Sequence, residues 1–338
     1  MTVGVAVIGL GFMGRTHLRA YRDAGDVCRL AGVFDIDPAR LTGNGGEAGN
    51  IATGSAEEAL FDPAEVFATD SIDALLARED IDAVSVCTPT DTHTGVARAA
   101  LRAGKHVLVE KPVSLHLAEI ESLDGEAERA GRMCMPAMCM RFWPEWVWLA
   151  ETIRGGDLGP VRTLSFERLG TAPSWGGGFY QNAARCGGAL HDLHIHDTDF
   201  ICHAIGTPRA VTSVGDAGRM TTLYHYDDGP SHVVASGGWP RGGAAFRMRY
   251  IAEFERGTAD FNLTRNPTLT LNDIQGDGSS PVSVSPGTGY DGEVRAFLHS
   301  VESHAQAPVT LRDAATTLTV LRAEARSMES GRPETIER

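Results

Sequence analysis

The chain predicts two domains of different class: a doubly wound, parallel α/β sheet of Rossmann type over residues 1–140, and an α+β domain with a mainly antiparallel sheet over residues 141–338. Three observations carry this. An apolar run near residue 3 ends in a glycine turn, and apolar runs of strand length then alternate with helical stretches up to about residue 140. Beyond that point strand-like runs follow one another with few helices between them. With 338 residues the chain exceeds one typical core and suits two domains.

Val3–Ile8 is the first strand, and Gly9, Gly11 and Gly14 follow it at once as G-x-G-x-x-G, with Phe12 and Met13 between the last two. In this context Gly9 takes a tight turn, Gly11 lets the backbone approach a pyrophosphate, and Gly14 lets the next helix lie close on the strand. The helix N-terminus then faces the phosphates. Asp35 ends the second apolar run, 21 positions after Gly14, where such a unit places the carboxylate that holds the adenosine ribose. Asp35 also admits the reading of a simple turn residue, but Asp37-Pro38 already supplies an N-cap and first turn. Ile36 and Asp37 offer no cation for a 2′-phosphate, so NAD is expected over NADP.

The glycine-rich stretch 43–54 has no periodicity and receives no structure. Ser71–Arg78 reads as a short helix, and Ile81–Cys87 as a strand ending at Thr88-Pro89. Asp91 or Thr92 caps a helix over Val96–Ala103, closed by Gly104. His106–Val109 is a strand ending in Glu110-Lys111-Pro112; Ser114 caps a helix over Leu115–Ala130, and Met133–Met138 is the last strand. Then comes a Trp-rich helix, Pro144–Ile153, followed by strand-like runs from Val161, Val211, Met220, His232, Arg247 and Thr258. Helices at Glu293–His304 and Arg312–Ser327 close the chain. Few helices remain to cover both faces of that sheet, so an apolar face is expected to be buried by a second copy.

A formal charge of -14, with no basic run to offset it, disfavours nucleic acid and anionic lipid as partners. The apolar start runs into the glycines with no basic leader, and no run approaches the ~20 apolar residues of a membrane span. The six cysteines form no C-x-x-C pair and read as reduced thiols. The expectation is a cytoplasmic protein.

Three segments carry chemistry. Glu110 and Lys111 lie at the carboxyl end of a buried strand, where open α/β sheets bind ligands, although a plain strand-exit ion pair would look the same. In Gly187–Asp199 (GGALHDLHIHDTD), a helix from Ala189 puts Asp192 and His196 four apart on one face, an acid/base pair if it meets substrate and a packing feature if it does not. His191, His194 and His196 could instead gather a metal, but His194 and His196 point to different faces and a third clear ligand is missing, so no metal is expected. Thr88–His93 (TPTDTH) follows the fourth strand, where His93 lines the nicotinamide side of a cofactor or merely starts a helix. Arg141 and Trp175 are weaker candidates for the substrate side.

Taken together, GLGFMG, TPTDTH, AGKHVLVEKP, GGALHDLHIHDTD and the closing LRDAATTLTVLRAEARS resemble the Gfo/Idh/MocA oxidoreductases over nearly the whole length. The resemblance implies Lys111, Asp192 and His196 as the catalytic set. It implies Gly9, Gly11, Gly14 and Asp35 as cofactor contacts, with Thr88, Pro89, His93 and Glu110 beside the ring and ribose. It also implies a large open sheet in the second domain, paired in a homodimer or homotetramer, and a cis peptide before Pro112. The sequence departs from the pattern in the insertion at 43–54 and in His194, where the family often has glycine. The implied activity is NAD-dependent oxidation of a sugar or cyclic polyol. An NAD-dependent glycosidase would use the same parts for transient oxidation, and a cofactor-binding sensor would keep the fold without the chemistry.

Overall fold

The computed structural model describes residues 2–44, 49, 58–174, 176–273 and 278–337, so Trp175 and most of the 43–54 stretch lie outside the described residues. Two compact units appear. The first comprises Met1–Cys139, Pro173–Tyr180 and Thr288–Ala315, and the second Met140–Ala172, Gln181–Gly287 and Thr316–Arg338.

The first unit holds a six-stranded sheet of β1 (Val3–Ile8), β2 (Cys28–Phe34), β3 (Phe67–Thr69), β4 (Ala83–Val86), β5 (His106–Glu110) and β6 (Cys134–Ala137). Its spatial order is β3-β2-β1-β4-β5-β6, and every pair is parallel. Val5, Val7, Val84, Val86, Val107 and Val109 are all fully buried, as a parallel sheet covered on both faces requires. Its helices are α1 (Phe12–Asp23), α2 (Ile72–Leu76), α3 (His93–Arg102) and α4 (Leu117–Ala130). Two starts differ from the sequence reading. The Thr92 hydroxyl donates to the Pro89 carbonyl and meets the Thr88 hydroxyl rather than capping α3, which begins at His93 after a 3-10 turn. Ser114 accepts from the His116 N–H, which delays α4 to Leu117.

The second unit contains α5 (Pro144–Gly155), β7 (Val161–Leu169), α6 (Ala183–Cys186), α7 (Ile195–Ala204), β8 (Ala210–Asp216), β9 (Arg219–His225), β10 (His232–Gly238), β11 (Arg247–Phe254), β12 (Gly257–Asn262), β13 (Leu269–Asp273) and β14 (Ser279–Pro281). α8 (Gly289–Ser303) returns to the first unit, and α9 (Leu311–Ser330) leads to β15 (Glu334–Thr335). The sheet runs β14-β13-β12-β11-β7-β10-β9-β8-β15, antiparallel except for the pair β7 and β10.

One face of this sheet is core. Trp146 of α5 lies edge-on against Tyr250 and Phe261, and Glu324 of α9 reaches Tyr224 and Thr222. The opposite face is mixed rather than apolar, which departs from the sequence expectation. There Arg249 pairs with Glu167 at 3.3 Å and Thr221 with Ser236 at 2.8 Å, while Val214 and Ile251 are 64% and 43% exposed. Strict alternation along β11 explains this, because every second residue points away from the helices whatever its chemistry.

Candidate active site

In the first unit the order of strands reverses between β2-β1 and β4-β5, so the carboxyl ends of those four strands face one crevice. Ile8 pairs with Phe34 and with Val86, and Val86 with Val109, which lines up Gly9, Asp35, Thr88 and Glu110-Lys111 along that edge. Gly9 and Gly14 take the tight turn and the close approach that their spacing predicts. Gly9 sits at φ +92°, with the Cys87 carbonyl 2.8 Å from where a Cβ would be. A Cβ on Gly14 would lie 1.8 Å from the Gly9 carbonyl oxygen, the mark of α1 packed directly on the turn. A Cβ on Gly11 would meet only the Arg40 guanidinium, at 3.5 Å, so the turn presents open backbone beside the half-exposed Phe12 and Met13. This bare, forward-facing backbone at a helix N-terminus fits a pyrophosphate.

Asp35 is 5% exposed, and both oxygens already accept a backbone N–H, Oδ2 from Leu10 at 2.7 Å and Oδ1 from Asp37 at 2.8 Å. The carboxylate is thereby fixed at the end of β2 and keeps a second acceptor position on each oxygen for a ribose diol. Sequence reasoning missed a cation here. Arg40, in the 3-10 turn that Asp37 caps, stands 3.7 Å from Asp35 and 3.7 Å from Asp37. The signal lay in the turn itself, since a residue three beyond the cap returns to the same side.

His93 is buried, its Nδ1 2.9 Å from the Pro112 carbonyl and its Nε2 2.7 Å from the Thr88 carbonyl. It ties the ends of β4 and β5 together. Burial holds this imidazole below its usual pKa, although both carbonyls favour the charged form. Glu110 turns inward: its Oε1 meets His17 Nε2 at 3.0 Å and its Oε2 accepts the Lys111 N–H at 3.1 Å. Burial pushes its carboxyl up, and the hydrogen bond from His17, with the charge of Lys111, more than offsets that, leaving it below the ordinary value. Lys111 is half-exposed and precedes a cis peptide to Pro112; Thr88 is half-exposed and Pro89 exposed.

The second unit carries Asp192 and His196. The expected α-helix from Ala189 is instead a five-residue π turn, Leu190–His194, followed by α7, an insertion of a kind that recurs at functional sites. Gly187 and Gly188 lead into it at φ +77° and +67°. Most polar side chains of this segment are committed to the core. Asp197 takes Arg168 at 2.7 Å, and Asp199 takes Arg141 through two bonds of 2.9 and 2.7 Å. Arg141, a candidate for the substrate side, thus holds a 1% exposed carboxylate with a guanidinium side chain that is itself 5% exposed. His194 is fully buried 3.0 Å from Glu324, in a space kept open by Gly237, whose Cβ would lie 2.7 Å from Nδ1. It therefore adds nothing to the polarity of a pocket. His191 is half-buried on the Gly187 carbonyl, and burial lowers its pKa. Asp192 and His196 remain half-exposed amid buried neighbours.

Comparison with known proteins agrees with this geometry. The profile described as "Oxidoreductase family, NAD-binding Rossmann fold" matches residues 3–138, and that of the "GFO/IDH/MocA C-terminal domain" matches residues 146–238. The chain belongs to the Gfo/Idh/MocA oxidoreductases. Among relatives in this family, UDP-N-acetylglucosamine 3-dehydrogenase of Acidithiobacillus ferrooxidans is 30% identical over 88% of this chain and 88% of its own. Inositol 2-dehydrogenase of Rhizobium meliloti is 27% identical over 88% of this chain and 82% of its own. The solved structure of GenD2 from gentamicin A biosynthesis, in complex with NAD, shares the fold with a TM-score of 0.79 at 22% identity, covering 100% of this chain and 97% of that one. The Gfo/Idh/MocA chain described here is accordingly an NAD-binding oxidoreductase. Among the described residues no helix is long and apolar enough to cross a membrane. Two residues that matter to the first unit, His17 and Glu293, were invisible as a pair because 276 positions separate them.

Proposed function

We propose that this enzyme oxidises a secondary alcohol of a sugar or cyclic polyol, with Lys111, Asp192 and His196 as its catalytic residues. The observation that carries the reading is selective exposure. Asp197, Asp199 and His194 are buried, whereas Asp192 and His196 are half-exposed in the same segment. The named activities of the inositol and sugar-nucleotide relatives support the substrate class.

NAD, when bound, supplies the hydride acceptor at nicotinamide C4. The bare backbone of Gly11, the N-terminus of α1 and the fixed carboxylate of Asp35 hold the dinucleotide. His196 takes the hydroxyl proton as general base, Asp192 orients it or binds a neighbouring hydroxyl, and the Lys111 ammonium donates to the reacting oxygen as negative charge gathers there. Oxidation therefore gains rate as pH rises and the imidazole loses its proton.

Because His196 and Lys111 act in the transition state, His196→Ala and Lys111→Ala lower kcat by ~10²–10⁴-fold with a smaller change in KM. NAD binding, followed by calorimetry, survives His196→Ala. Turnover near that of the wild type in either variant removes that residue from the mechanism. A panel of inositols, sugars and sugar nucleotides with NAD, followed by NADH absorbance, identifies the substrate; release of aglycone from an aryl glycoside would favour the glycosidase instead.

We also infer that copies associate through the mixed face of the nine-stranded sheet, opposite its core face. Exposed Val214 and Ile251 and half-exposed Leu223 and Val234 support this, set among polar neighbours.

A further inference from the structure

Three ionisable side chains meet in the interior of the first unit. His17 of α1, Glu110 of β5 and Glu293 of α8 bring their nitrogen and oxygen atoms within 4.8 Å of one another, and all three are buried. His17 Nε2 lies 3.0 Å from Glu110 and 3.9 Å from Glu293. The hydrogen bonds admit one consistent placement of the protons. Tyr21 meets Ser85 at 2.7 Å and Ser85 meets His17 Nδ1 at 3.0 Å, so the hydroxyls can donate in series to Nδ1, leaving Nε2–H to donate to Glu110. Glu110 Oε2 takes the Lys111 N–H. In this assignment His17 is neutral and Glu110 is an ionised acceptor on both oxygens.

Glu293 is the group left over. It is fully buried, and neither oxygen has a hydrogen-bond partner. As a carboxylate it would be a second buried negative charge with no bond to compensate it, which costs far more than a neutral acid in the same place. A metal ion is the other way to settle such a trio. But the 3.0 Å contact is a hydrogen-bond length, and Glu110 has already committed its other oxygen to the Lys111 backbone.

We propose that Glu293 is a positioning residue that holds a proton and so stays neutral beside Glu110, so that one negative charge, that of Glu110, fixed in place, stands behind Lys111. This rests on the reading of Lys111 as the group that meets the reacting oxygen. The charged and titratable groups facing Glu293 are His17 and Tyr21 from α1, Cys87 after β4, and Glu110 and Lys111 from β5. Burial and then the charge of Glu110 push the Glu293 carboxyl well above its ordinary value, with Lys111 opposing.

The sign of the pH effect follows. A folded-state pKa above the unfolded one gives stability that is fully present below the unfolded value and is lost as pH rises from there toward the folded value. Gln does not titrate but keeps shape and a donor, so the Tm of Glu293→Gln gains on wild type by about 2–4 °C per pH unit from pH 4 upward. Met keeps length without a donor. In the full-length enzyme with NAD and substrate, Glu293→Gln therefore keeps kcat within about threefold, whereas Glu293→Met loses at least about tenfold in kcat with KM for NAD little changed.

Equal kcat in the Gln and Met variants would overturn the positioning role, since filling space is a task Met does as well. A Tm for Glu293→Gln that lies below wild type by the same amount at pH 4 and pH 8 would overturn the proton. So would a stoichiometric divalent ion that survives chelation in wild type and is lost in Glu293→Gln. If Lys111→Ala alone retains turnover, the catalytic reading of the lysine fails, and the pH dependence of Tm still decides where the proton sits.

Discussion

Asp35 and Arg40 set opposing charges at the ribose end of the cofactor cleft. The carboxylate is held by two backbone N–H groups and cannot swing away from a 2′-phosphate, while the guanidinium 3.7 Å off could pair with one. Wild type is expected to prefer NAD, because the fixed carboxylate both binds the diol and repels the phosphate. Asp35→Ser raises kcat/KM for NADP relative to NAD by about tenfold or more, and adding Arg40→Ala removes most of that gain. Steady-state rates with both cofactors check this, and an unchanged ratio in Asp35→Ser would take the carboxylate out of cofactor choice. The glycine turn and the acid that ends β2 were readable because G-x-G-x-x-G and the acid 21 positions on are local in sequence. Arg40, His17 with Glu293, and the inward turn of Glu110 were not, because each depends on a side-chain direction or a partner far along the chain. The burial of Arg141 on Asp199 was hidden for the same reason.

At the scale of elements, the parallel half was legible through its punctuation: apolar runs ending in Gly, Asp, Thr-Pro and Glu-Lys-Pro mark the carboxyl ends of β1, β2, β4 and β5. The short β13, β14 and β15 carry too little pattern to stand out, and the π turn before α7 differs from an α-helix by one residue that no periodicity reveals. Two glycines on helices separate packing from propensity. Gly14→Ala forces a Cβ to within 1.8 Å of the Gly9 carbonyl oxygen, so α1 must shift; it should cost ~1–3 kcal/mol and weaken NAD binding at least tenfold. Gly95→Ala in α3 finds nothing within 4 Å and should stabilise by ~0.5–1 kcal/mol. Thermal melts and calorimetric titration of both variants measure this, and equal Tm values would refute it.

For the whole molecule, the first prediction concerns association. A sheet of nine strands with helices on one face and Ile251 43% exposed on the other is expected to give a dimer or tetramer by light scattering at micromolar concentration. Ile251→Arg should lower that mass, and a monomeric wild type would count against the interface. The change of rhythm near residue 140 falls beside the break between units at Cys139 and Met140, but the return of α8 left no mark in the sequence, since an amphipathic helix does not announce which sheet it will cover. That return matters during synthesis. The faces of α1 and β1 wait for α8, which leaves the ribosome roughly 150 residues after β6. At ~5–20 residues per second the nucleotide fold stands uncapped on the order of ten seconds, its buried polar trio lacking one member. A growing chain of this kind is expected to gain protection of its nucleotide fold from proteases only once α8 has emerged.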